Sequence, residues 1–195
     1  MLDNWLDDVV RFQTDKSTEV RKWVVGFIEE ASKKDPEILT RIITNLLIML
    51  NDDAVAIRKR VIQAMTFLYK QCVKWLCQAK FITDKMEAVW SGISDMKTRI
   101  VSMVESDNDG IRTHAIKFME MLVSVQTHAD ESVRVQIKDN FSLDDIPMTL
   151  KILRRRKLED EAQSVFSKLI QFHGSAHISS ANLMTCMSSL TGMYY

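Results

Sequence analysis

The sequence predicts an all-α protein, an α-solenoid of antiparallel helix hairpins, and three observations predict it. Only 5 Gly and 2 Pro occur in 195 residues, too little punctuation for many short strands and turns. Apolar residues recur at helical spacing through most of the chain. One helical pattern occurs three times, and a long-period repeat is the signature of stacked units that share one core. Residues 1–195 are expected to form a single partial domain, with hairpins at about 2–33, 36–77, 84–125 and 157–191 and a long loop at about 126–156.

The repeated segments run from Asp15 to Lys33, Asp52 to Lys70 and Asp107 to Ser124. Each opens with an acidic turn, then a β-branched residue followed by arginine. With Arg21, Arg58 and Arg112 in register, one set of positions is apolar in every copy. It reads Val20, Val24, Val25, Phe27, Ile28, Ala31, then Ile57, Val61, Ile62, Ala64, Met65, Leu68, then Ile111, Ala115, Ile116, Phe118, Met119, Leu122. That face is wider than the stripe of a surface helix, so each copy needs neighbours on more than one side. The opposite face reads Lys22, Gly26, Glu29, then Lys59, Gln63, Thr66, then Thr113, Lys117, Glu120. Stacking would align these rows into a polar ladder.

Each copy follows a partner helix of the same spacing. The first runs from Leu2 to Phe12, with Trp5, Leu6 and Val9 apolar; the second from Pro36, suited to a first turn, to Leu50; the third from Asp84 to Glu105. Hairpins of about 37 residues fall near the range of HEAT-type repeats. The second copy's helix is expected to run on through Cys72, Val73, Trp75 and Leu76, beyond its neighbours. From His128 to Arg155 the helical pattern fades, and a loop this long is a place to look for function. A fourth hairpin begins with Leu158, Ala162, Val165, Phe166, Leu169 and Ile170, and a less regular helix from Ile178 to Leu190 completes it. The final residues Thr191 to Tyr195 carry no polar cap, so the chain is expected to be part of a longer array.

Twenty-six basic and 26 acidic residues balance, so no whole-molecule field draws the chain to nucleic acid or an anionic membrane. No apolar run reaches the roughly 20 residues that span a bilayer, and a soluble intracellular protein is expected. Cys72, Cys77 and Cys186 sit inside apolar periodic segments and read as small buried hydrophobes.

Catalytic and metal chemistry is not suggested by any motif. Asp107-Asn108-Asp109-Gly110 resembles part of a calcium loop, but the position needing a bidentate Glu is Ile116. A turn with helix N-cap is expected there, as at Asp15 and Asp52-Asp53. His173 and His177 flank Gly174, a helix end. No phosphate loop, nucleophile elbow or carboxylate pair occurs, so neither an enzyme nor a cofactor is expected. The run from Arg154 to Lys157 reads as a solvated junction, with an RNA or import patch as the alternative.

The residues Val20-Arg21-Lys22 with Gly26-Phe27-Ile28, the stretch from Ser106 to Phe118, Phe141-Ser142-Leu143 with Ile146-Pro147, and His177-Ile178-Ser179-Ser180 with Asn182-Leu183 resemble the amino-terminal HEAT domain of the symplekin family. The resemblance implies a nuclear, non-catalytic scaffold that holds cleavage and polyadenylation factors. It also implies a concave helical face that binds and stimulates a phosphatase of the RNA polymerase II carboxy-terminal repeats, with Lys117 at the contact. Arg112, Thr113, Glu120 and Ser124 join the candidate site because they share that helix face. No direct nucleic-acid binding is expected; the competing reading is an RNA-binding solenoid using Lys22, Lys59, Lys70 and the Arg154 cluster. The family's helix pairs extend beyond both ends of the region matched here.

Overall fold

The computed structural model describes residues 3–129, 141–175 and 178–193. The described residues form eight α-helices and no strand, with short 3-10 turns in some of the connections. They are α1 (Asp3–Val10), α2 (Thr18–Lys34), α3 (Leu39–Met49), α4 (Val55–Gln78), α5 (Asp84–Ser102), α6 (Asp109–Gln126), α7 (Arg155–His173) and α8 (Ser180–Met193). The fold is the expected all-α arrangement of HEAT-type helix hairpins. Readings that touch Leu2, Asp139, Asn140, His177 and the two final tyrosines lie outside the described residues, as does the middle of the long loop. The chain divides into two compact units, Met1–Ile100 and Val101–Tyr195.

In the first unit the repeat pattern becomes a core. Val24, Val25 and Ile28 of α2, Leu39, Ile42 and Leu46 of α3, and Ile57, Val61, Ile62, Met65 and Leu68 of α4 are all buried. Val20 and Phe27 stay half-exposed and Trp5 and Trp23 are open to solvent, because α1 and α2 form the outermost layer of this unit. The helix starts differ from the expected acidic caps. Asp15 accepts the Ser17 backbone N–H at 2.7 Å and Asp52 accepts that of Ala54 at 2.8 Å. Both are turns closed two residues on, a geometry that short acidic side chains favour and that places them just before the helix rather than on its orphan donors.

Those turns serve the repeat arginine. Arg21 donates to Asp52 through Nε at 2.8 Å and Nη2 at 2.9 Å, and to the Asp15 carbonyl at 2.7 Å. Just over two turns along, Glu29 of α2 meets Arg60 of α4 at 2.7 Å. The pairs Arg21 with Asp52 and Glu29 with Arg60 have the same spacing in sequence, which only helices running in the same direction can maintain. Alternate helices in this unit are therefore parallel, with α3 returning the chain between them.

In the second unit Ile111, Ala115, Ile116, Phe118, Met119 and Leu122 of α6 are buried, as are Leu158, Ala162, Val165 and Leu169 of α7. The residues between them are anchored at the base of the long loop. Leu143 N–H donates to the Thr127 carbonyl at 3.1 Å, and Asp144 accepts from Ala129 N–H at 3.1 Å and meets His128 at 2.6 Å. Ser142 and Asp145 form a capping box over the 3-10 turn that follows.

Candidate functional site

Asn108 sets the start of α6: its side chain accepts the Ile111 N–H at 3.1 Å, so an asparagine, not either flanking aspartate, is the cap. From that start, positions 113, 117, 120 and 124 alternate by four and three residues and fall on one edge of the helix. Arg112 lies beside this edge but turns away from it. Its guanidinium donates to the Ser106 carbonyl and pairs with Asp109, leaving the side chain 17% exposed. Arg21 reaches six residues back to Asp15 in the same way, so in these two copies the repeat arginine ties its helix to the turn before it.

The edge is partly occupied by α8. Thr113 Oγ1 lies 2.9 Å from Asn182 Oδ1, and Asn182 Nδ2 donates to Asp109 at 3.0 Å. Two turns on, Ser189 Oγ donates to Glu120 at 2.6 Å. Asn182 and Ser189 are fully buried. Thr113 to Glu120 and Asn182 to Ser189 have equal spacing, and both cross-helix bonds join residues 69 apart. As with α2 and α4, equal offsets mean that α6 and α8 run parallel, the relation of equivalent helices in successive hairpins.

Lys117 lies between these two ties and remains open. Its ammonium meets Glu120 at 2.8 Å, with the lysine side chain 48% and the glutamate 31% exposed. Glu120 is thus held from both sides, by Lys117 and by Ser189. Ser124, one turn further, is exposed. Of the five candidate residues, Lys117 and Ser124 face solvent, Thr113 and Glu120 are shared with α8, and Arg112 is committed to its own turn. Asn182 and Ser189 escaped sequence reasoning as working residues. Their signal is a buried polar pair seven apart on one helix, matching the polar pair seven apart on another.

Among the described residues no group of three or more His, Cys, Asp and Glu could hold a metal ion. Burial pushes the Cys72 thiol up to about 12, so Cys72 stays protonated and packs as a hydrophobe. Among the described residues no helix is long and apolar enough to cross a membrane.

Hairpins whose equivalent helices run parallel, tied through polar edges and arginine-anchored turns, define a HEAT-type helical-repeat domain. The chain matches the family described as Symplekin/PTA1 N-terminal over residues 54–193, more than half its length, and it belongs to that family. The family implies a scaffold role in nuclear mRNA 3′-end processing, through binding of processing factors. The match begins at the turn before α4 and takes in all of α6, α7 and α8.

Proposed function

We propose that the polar edge of α6 is a protein-binding face whose partner is a phosphatase of the RNA polymerase II carboxy-terminal repeats, and that binding stimulates that enzyme. One observation carries the reading: Lys117 is an exposed cation on an edge where Thr113 and Glu120, on either side of it, are fixed by α8. An ion pair as exposed as Lys117 with Glu120 contributes only about 0.2–1 kcal/mol. Exchanging Glu120 for a partner acceptor therefore loses little, while Glu120 keeps the ammonium positioned beforehand. Thr113, Glu120 and Arg112 support the face by holding α6 against α8 and its own turn, and Ser124 extends the open surface. This domain acts as a scaffold in the proposal and contributes no reacting group.

The test is recovery of the phosphatase by the immobilised chain. Lys117→Ala is expected to reduce recovery by about tenfold, the scale of one well-placed interface contact. Equal recovery from the variant and the natural chain would remove Lys117 from the interface.

A further inference from the structure

We propose a second docking site, in the first unit, that takes an arginine side chain from an extended segment of a protein partner. The site is an open cleft of about 510 Å³ beside the last turns of α4. It arises because α4 runs for 24 residues. Cys72, Val73 and Leu76 bury one face of its final turns, which leaves Trp75 half-exposed on another. Phe81, in the short link to α5, is 74% exposed. Thr83 then accepts the Met86 N–H at 3.3 Å and so fixes the first turn of α5, with Asp84 at its start. Trp75, Phe81 and Met86 line the cleft together with the carboxylates of Glu37 and Asp84.

The lining selects its occupant. Phe81, in a five-residue link, and Trp75 together present apolar surface rimmed by polar groups, the pattern that marks an interaction site. Aromatic faces attract cations within about 6 Å, arginine most often, through the ring quadrupole. Glu37 and Asp84 are exposed, and among the described residues neither side chain makes a hydrogen bond or ion pair. Two carboxylates outweigh the one ammonium in the lining, that of Lys85, so an acidic segment is opposed. A guanidinium satisfies both features at once, since it stacks flat on an aromatic ring and presents a fork of donors to a carboxylate. The site shares no residue with the polar edge of α6.

A nuclear magnetic resonance titration of the whole chain tests this, with acetyl-Gly-Arg-Gly-amide as probe. The citrulline analogue, neutral and nearly the same shape, and acetyl-Gly-Glu-Gly-amide serve as comparisons. The arginine probe is expected to shift the Trp75 indole N–H and the amides of Phe81, Thr83 and Lys85. It should bind roughly fivefold more tightly than citrulline, the scale of an exposed cation–π contact with rim ion pairs. The double variant Glu37→Gln with Asp84→Asn, at exposed positions without partners, should remove that preference, and Phe81→Ala should weaken the arginine probe by a similar factor. Equal binding of the arginine and citrulline probes, tighter binding of the glutamate probe, or an arginine preference that survives the double variant would overturn the proposal.

Discussion

Arg21 and Asp52 meet through two parallel hydrogen bonds of 2.8 and 2.9 Å, with side chains 12% and 9% exposed. Burial by itself raises the Asp52 carboxyl, but the hydrogen bonds from Arg21 and the Ala54 N–H outweigh it and hold the group below its ordinary value of 3.8. A carboxyl depressed by folding contributes stability that is present above the unfolded value and lost as pH falls through the folded one. Asp52→Ala, which leaves the guanidinium only the Asp15 carbonyl and the exposed carboxylate of Asp53, is expected to destabilise the chain by about 1–3 kcal/mol near neutral pH. The gap between variant and natural chain should close as pH drops below about 3.8, and urea midpoints across an acid series measure it. A gap that stayed constant through that range would show that the ionised pair is not the source. The sequence marked both residues, through the arginine register and the acidic turns. It did not join them, because the partner lies in the next copy and no local spacing encodes which turn an arginine reaches.

At the scale of elements, the apolar periods were legible because burial and period are the same physical fact: all of the repeat positions in α4 and α6 are buried. Helix ends and polar ties were less so. Trp5 and Ile170 sit at apolar positions of their helices yet are 63% and 49% exposed, since a period names a face and not what covers it. Gly92, in the middle of α5, drew no notice in the sequence, although an isolated glycine inside a helical pattern is a signal of close packing. A β-carbon there would lie 2.5 Å from Ile43 Cγ1 of α3. Gly92→Ala is therefore expected to cost about 1–3 kcal/mol through overpacking, against a gain of up to about 1 kcal/mol in helix propensity. The sign should reverse in an Ile43→Ala background, where Gly92→Ala becomes stabilising. Thermal unfolding of the four chains measures that coupling, and additive effects would contradict the close approach.

For the molecule as a whole, balanced charge leaves recognition to local faces. Family membership implies the scaffold role in mRNA 3′-end processing, and the binding face we propose is the α6 edge, part of which α8 fixes while Lys117 and Ser124 stay open. The candidate site was half legible. Its helix edge followed from the period, whereas the division of that edge between solvent and α8 depended on Asn182 and Ser189, whose partners lie 69 residues away. Calorimetric titration of the polymerase phosphatase into the chain carrying Ser124→Arg tests the central claim most directly. The substitution adds bulk to an exposed helical position and removes no described contact, so the fold should survive it. Affinity should fall by about tenfold or more, a loss of at least ~1.4 kcal/mol. Unchanged affinity in a folded variant would mean that the partner does not dock on the polar edge of α6.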